Sequence, residues 1–445
     1  MSKSKYIYFG LTVLSIVILL FFTYAYRVEV PFRDQWHLVP MLEKSYTGTL
    51  TFQDLFSQHY EHRPFFPRII MILLARLTGW NTVYELTFNV ICALIIFLLL
   101  VYQVKKSVAN LSKALNAWII PLIALFVFSL GQNENFWCGW QIAIMLSLLC
   151  SVTGIILLSN RLDWKKFTVA VGMGVVITYS HGTGFAYWLV GLLILLMHTT
   201  NNNNRDAARA RLLTWCFVTY LVCFSYFYGY KRTVYSDLPL TKSLAIFSCP
   251  FEYVKFVFKF LGSSVSYFST KLAYLFSFFG IVGFAYAVWF LVKKRRAPFQ
   301  LLIPYIALGI YAVGSAFLTG LNRAGFCSIM AFSSRYLSFS YPFWVSVCIL
   351  FYLIILISPK KSNSRSISFV IVIAIACSAF FSSIKGGFEM IEKYNFLLPI
   401  KQDFLRSAPA DSYILVNNGA WGSKKDFEIL KKHHLSLFRY RSVKE

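Results

Sequence analysis

Charge is scarce in this sequence, and acidic charge is scarcest: only 18 Asp and Glu occur among 445 residues. The nine cysteines (92, 138, 150, 216, 223, 249, 327, 348, 377) include no CxxC pair and lie mostly inside apolar runs. They read as small packing residues rather than metal ligands. A Walker loop and a GxGxxG fingerprint are both missing, so no nucleotide-binding domain is expected. The alternating pattern of outer-membrane barrel strands is absent. So is any inverted pair of Gly- or Pro-broken segments, the mark of many secondary transporters.

Hydrocarbon fills the space that charge leaves. The chain is 58% hydrophobic, with 44 Phe and 27 Tyr. No soluble core needs that much apolar side chain, and long apolar runs read as bilayer spans. Backbone groups in lipid must be satisfied within each segment, so the spans are helices. Runs near 6–26, 83–104, 115–131, 141–159, 167–180, 185–198, 212–230, 269–292, 299–319, 337–358 and 367–384 predict an all-α polytopic membrane protein of about eleven spans. Arg27-Val28-Glu29-Val30 follows the first run in place of a small-residue cleavage site, so that run reads as a retained anchor.

The net charge of +25 is a matter of placement. Alternate segments carry Lys3/Lys5, Lys105/Lys106/Lys113, Arg161/Lys165/Lys166, Arg205/Arg209/Arg211, Lys293 to Arg296, and Lys360/Lys361/Arg365. The short opposite loops 132–140 and 181–184 carry no Lys or Arg. The positive-inside rule then makes the N-terminus cytoplasmic and the long first loop, 27–82, extracytoplasmic. The charge is topology and not a nucleic-acid footprint. Two further segments, Pro64 to Trp80 and Phe251 to Phe260, read as helices lying in the membrane interface. The transmembrane part ends at 384. Residues 385–445 read as a small extracytoplasmic α/β appendage, with a strand at Tyr413-Ile414-Leu415-Val416, a turn at Asn417-Asn418-Gly419 and a helix near 424–434.

The polar chemistry collects on the outward side. The first loop holds Arg33, Asp34, Trp36, His37, Glu61, His62, Arg63 and Arg68; its Glu43, Asp54 and His59 read as ordinary loop residues. The next outward turn holds Glu134, Asn135, Trp137 and Gln141, and the i, i+3, i+7 spacing of Glu134, Trp137 and Gln141 predicts one helix face. Then come His181 between turn residues, and Arg323 and Arg335 with Tyr336. The two arginines would lie about 18 Å apart on one straight helix, and a break near Gly325 would bring them closer. Ionisable groups at membrane depth mark function.

The combination of Asp34-Gln35-Trp36, Glu61-His62-Arg63, Glu134-Asn135-Phe136-Trp137 with Gln141, and Arg323-Ala324-Gly325 with Ser334-Arg335-Tyr336 resembles the GT-C glycosyltransferases. The closing Leu430 to Phe438 is similar to tails in that group, and the layout resembles the serotype-conversion O-antigen glucosyltransferases. The resemblance implies a polyprenyl-phosphate sugar as donor and an acidic residue of the first outer loop, here Asp34, at the catalytic centre. It departs from the metal-associated Asp-x-Asp of oligosaccharyltransferases, so no cofactor is expected and a divalent metal stays open.

The residue types suit that chemistry. Asp34 is the expected base for the acceptor hydroxyl, with Glu61 or Glu134 as second choice. Arg335, Arg323 and Arg63 suit the departing phosphate, with His62 or His181 as hydrogen-bond donors. Trp36, Trp137 and Trp140 suit stacking on sugar faces, and Asn135, Gln141 and Tyr336 complete the substrate contacts. A hexose, with glucose first in line, would pass to a lipid-linked polysaccharide such as O-antigen on the periplasmic face of a bacterial inner membrane. Membrane lipid, a flippase and a donor synthase are the expected partners. Two other readings stay open: a flippase or exporter of lipid-linked sugars, and a polysaccharide polymerase or ligase using a polyprenyl-pyrophosphate glycan.

Overall fold

A computed structural model of the chain describes residues 3–201, 205–231, 245–294, 297–325, 328–406 and 422–439. Among these residues every regular element is helical, and the only β pairing is an isolated bridge between His59 and His62. The strand expected at 413–416 and its turn lie outside the described residues.

The first helix, α1 (Lys3–Ala25), leads into the first loop. That loop folds into a 3-10 turn at Arg33–Leu38 and then α2 (Val39–Thr47), α3 (Phe52–Phe56) and α4 (Phe65–Thr78). Local chemistry explains the breaks. Gly48 and Gly79 end α2 and α4 with positive φ, which costs glycine nothing. Thr51 caps α3 by accepting from the Asp54 amide.

The bundle follows as α5 (Thr82–Asn110), α6 (Ile119–Val127), α7 (Glu134–Trp137), α8 (Ile142–Ser159), α9 (Trp164–Thr178), α10 (Gly184–Asn201) and α11 (Arg205–Phe227). After the short α12 (Ala245–Ser248) it continues with α13 (Pro250–Ser266), α14 (Thr270–Trp289), α15 (Phe299–Arg323), α16 (Leu337–Ile357) and α17 (Asn363–Arg406). The described chain closes with the helix Lys424–Lys432 and a 3-10 turn at Ser436–Phe438. Asn81, Asp163 and Ser269 cap α5, α9 and α14 through their side-chain oxygens.

Every expected span falls on a helix, but among the described residues eight helices rather than eleven are long and apolar enough to cross a bilayer. The remaining three are the shorter apolar α6 and α10 and the 15-residue α9. Helix α6 stops at Val127 because the chain turns at Ser129, whose hydroxyl accepts from the Gly131 amide. Helix α16 is buried along almost its whole length, as an all-round apolar helix at the centre of a bundle should be. Helix α1 exposes Tyr6, Ile7, Phe9 and Leu14, a surface suited to lipid.

Phe251 to Phe260 opens α13, which is buried continuously from Phe260 to Ser266 among α14, α15, α16 and α17. The Tyr253 hydroxyl donates to the Phe317 carbonyl near the end of α15, and the Tyr267 amide donates to Ser382, so both ends of α13 lie at one end of the bundle. Gly262 permits the close packing, since a Cβ there would stand 2.2 Å from the Ala273 carbonyl oxygen. One expectation changes, at the C-terminal part. Helix α17 runs unbroken through the boundary expected at 384, and the segment 422–439 packs on the first loop. Trp36, Leu42 and Trp80 share an apolar core there with Leu397, Phe427, Leu430 and Phe438. Glu43 accepts from Lys432 at 2.7 Å and pairs with His433, while Arg439 reaches Glu29 at 2.8 Å. The first loop and the C-terminal segment therefore occupy the same end of the bundle.

Candidate functional site

The helices alternate in direction, so the turns that follow α1, α6, α9, α11 and α15 gather at that end. A cavity of about 810 Å³ opens between them, lined among others by Arg33, Asp34, His59, His181, Arg323 and Arg335. Segments 300 residues apart in sequence thus face one another across one space.

Asp34 sits on the 3-10 turn after Phe32. The preceding Arg33 has φ +47, an uncommon backbone state for a residue with a side chain. Burial raises the Asp34 carboxyl above its ordinary 3.8, and the nearby Arg335 guanidinium works in the opposite sense. His59 brings Nε2 to 3.9 Å from Asp34 Oδ1 and rests against Trp140. Burial, reinforced by His37, holds the His59 ring far below its usual value, so it meets Asp34 uncharged. His59 therefore belongs to the site, although along the sequence it reads as a plain loop residue. The bridge to His62 is what turns it inward.

Each cavity arginine already holds a carboxylate. Arg323 Nη2 donates to Glu61 Oε2 at 2.9 Å. Arg335 Nη1 lies 3.5 Å and Arg33 Nη1 3.9 Å from Glu134 Oε1, while Gln141 Nε2 donates to that oxygen at 3.2 Å. His62 and His181 stack at 4.4 Å, and the Gly182 amide donates to His62 Nδ1 at 3.2 Å. Burial pushes His62 down to about 4 and His181 well below its ordinary value. Both rings are neutral at pH 7 and can donate only from a single N–H each. A smaller cavity of about 230 Å³ lies on the far side of His62, His181 and Arg323, against Phe185, Tyr226 and Phe227.

Not every expected contact reaches the cavity. Arg63 donates to the carbonyls of Tyr226 and Tyr228, both at 2.8 Å, and of Phe56 at 3.2 Å. It ties the first loop to the end of α11 and faces away from the phosphate position expected of it. Trp36 is buried against Gly422, where a Cβ would stand 2.4 Å from the indole. Trp137 is not on one helix face with Glu134 and Gln141, because Cys138 is extended and breaks the helix. Its ring packs edge-on against Phe32 under Lys393. Of the three tryptophans only Trp140 lines the cavity. Asn135 is fully buried and donates to the Arg335 carbonyl at 3.1 Å and to Ser338 at 2.6 Å, so it sets the arginine rather than touching a ligand. Gln141, Tyr336 and His181 do line the cavity.

Residues that the sequence reading passed over also line it, namely Tyr60, Tyr267 and Lys385, and so does Arg33, to which the sequence reading gave no role. Lys385 directly follows the last apolar run, a position that reads as the start of a tail but is the middle of α17. Among the described residues no group of three or more His, Cys, Asp or Glu side chains is arranged to hold a metal ion.

Fold and site together define a polytopic helical membrane protein with a charge-paired cavity at one end. No family model and no curated protein matches the sequence. Among solved structures, the chain is similar to the Archaeoglobus fulgidus oligosaccharyltransferase in complex with Zn and sulfate (TM-score 0.47, 14% identity), over 85% of this chain and 53% of that one. It is also similar to ArnT from Cupriavidus metallidurans bound to undecaprenyl phosphate (TM-score 0.44, 13% identity), over 97% of this chain and 78% of that one. The chain thus spans about half the length of the oligosaccharyltransferase.

Proposed function

We propose that this protein is a membrane glycosyltransferase that moves a hexose, glucose in the first instance, from a polyprenyl-phosphate donor to a lipid-linked polysaccharide such as O-antigen. One observation carries the reading: a partly desolvated carboxylate, Asp34, shares a single cavity with two arginines from the other end of the sequence. In the reaction the acceptor hydroxyl oxygen attacks the anomeric carbon while Asp34 takes its proton. The bond from that carbon to the phosphate oxygen breaks, and polyprenyl phosphate leaves with the electron pair. Arg335 and Arg323 meet the growing phosphate charge with planar, bidentate donors. A single displacement inverts the anomeric configuration.

Glu61 and Glu134 serve in this scheme as the arginines' partners, which leaves Asp34 as the base. Tyr336, Gln141, His62 and His181 border the reacting groups as uncharged hydrogen-bonding contacts, with Trp140 as the sugar-stacking ring. The active site faces the periplasm, by the distribution of Lys and Arg between the loops.

The test is transfer of labelled glucose from a polyprenyl-phosphate donor by the purified protein in lipid nanodiscs. Asp34→Asn is expected to lower turnover by about a thousandfold or more, because a base and its charge are both lost. Wild-type turnover in that variant removes Asp34 as the base. Turnover with a polyprenyl-pyrophosphate glycan alone would instead mark a polymerase or ligase.

A further inference from the structure

We propose that Glu85, a buried carboxyl outside the cavity, is a positioning residue that sets the place of Asp34. The consequence for turnover rests on the function proposed above. Glu85 lies in the first turn of α5 and is 1% exposed. Its Oε2 accepts from Gln35 Nε2 at 2.9 Å, and its Oε1 accepts from Trp80 Nε1 at 2.9 Å. Gln35, next in sequence to Asp34, is itself buried and uses its own Oε1 to accept the Phe32 amide at 3.1 Å. The Gln35 side chain thus closes the turn back onto Phe32 with Arg33 and Asp34 between them, and that side chain is held by Glu85.

The same carboxyl sits against the opposite wall. A Cβ on Gly139 would lie 1.6 Å from Glu85 Oε2, so the carboxyl occupies the space that any side chain at 139 would need. Gly139 opens the 3-10 turn of Trp140 and Gln141, both of which line the cavity. One buried group thus touches the turn that carries Asp34 and the turn that carries Gln141, and sets their separation. It also meets Trp80, whose φ of +53 is a costly state for a bulky residue and needs a fixed partner.

Burial without a counter-ion makes the arrangement expensive. Among the described residues no cation pairs with Glu85, and an apolar side chain would fill the space without desolvating a carboxyl. What an apolar side chain lacks is direction. Two acceptor oxygens fix the Gln35 amide and the Trp80 indole at defined angles.

Glu85→Gln places an amide donor against Gln35 or Trp80, which are donors themselves. Turnover (kcat) is expected to fall about 10- to 100-fold, since a small misplacement of a reacting group costs up to that much. KM for donor and acceptor should stay within about twofold. Hydrogen exchange over residues 31–38 should rise about tenfold while the bundle helices keep their protection. The double variant Gln35→Glu with Glu85→Gln restores the donor–acceptor pattern, because the new amide donates to residue 35 and still accepts from Trp80. It should recover both readouts.

Should Glu85→Gln not fold, Gln35→Leu cuts only the branch to Asp34 and is held to the same outcomes. Unchanged kcat with unchanged exchange at 31–38 would overturn the proposal, as would a uniform loss of protection throughout the bundle. If wild-type protein moves no sugar from any polyprenyl-phosphate donor, the proposed function falls, and the exchange measurement alone decides the role of Glu85.

Discussion

Two pairs of arginines in this protein have the same chemistry and opposite surroundings. Arg63 and Arg68, on the first loop, point their guanidinium groups at backbone carbonyls: Tyr226, Tyr228 and Phe56 for the first, Leu55 and Ser57 for the second. Arg323 and Arg335, on the late turns, line the cavity and pair with the carboxylates of Glu61 and Glu134. A guanidinium whose donors end on carbonyls is a structural clamp. One that shares a carboxylate at a cavity wall keeps donors directed at what enters. The difference lies in the acceptor on offer, not in the arginine.

Substitutions should separate the two pairs. Arg335→Ala is expected to lower kcat/KM by about two to three orders of magnitude, the usual range for losing one donor to a developing charge, with little change in thermal stability. Arg335→Lys should recover only part of it, for want of a planar fork. Arg63→Ala should do the reverse. Three carbonyls lose their donor, and unfolding in detergent should become easier by on the order of 2 kcal/mol while the folded protein keeps its kcat/KM. Equal losses of turnover in both variants would erase the distinction.

The pH profile sharpens the contrast from the Asp34 side. In the proposed reaction the base works ionised, so transfer should be present above the Asp34 pKa and lost as pH falls through it. Because burial raises that value, the acid limb of kcat/KM should lie above 3.8. Arg335 lowers the Asp34 value and Glu134 raises it. The limb should therefore move to higher pH in Arg335→Ala and to lower pH in Glu134→Gln. A limb that stays put in both would show that the titrating group is not Asp34.

The smallest effect belongs to the C-terminal segment. Glu43 pairs with Lys432 and His433 at a partly exposed surface, and these partners hold its carboxyl below its ordinary value. A lowered folded-state value means the pair stabilises the fold above pH 4.5 and is lost as pH falls through that lowered value. Glu43→Gln should cost under about 1 kcal/mol near neutral pH, as partly exposed pairs do, and should leave turnover unchanged. A large loss of turnover would make the C-terminal segment part of the site.

Much of this protein was legible along its sequence. Apolar runs placed the helices, because a backbone in lipid has no other way to satisfy itself. The one-sided spread of Lys and Arg sorted the turns, and the turns so grouped are those that meet at the cavity. Asp34, Arg323 and Arg335 were legible too, as ionisable groups beside spans that otherwise avoid them. What remained hidden was direction and partnership. Arg63 and Arg323 look alike in sequence, and only packing shows that carbonyls take one and Glu61 the other. Trp137 shares the right spacing with Glu134, but an extended Cys138 turns it away. His59 reads as a loop histidine until the bridge to His62 brings it to Asp34. Lys385 reads as the start of a tail until α17 carries it past the cavity.

Asp34 itself marks the boundary between the two kinds of knowledge. Its residue type and its place after the first span follow from the sequence, where it is one of only 18 acids in 445 residues. Its environment was settled by segments far away in the chain: Glu85 through Gln35, Arg335 across the cavity, His59 from the loop's far end. Composition and periodicity act locally along the chain, whereas a site is made of contacts between groups whose separation in sequence says nothing of their separation in space.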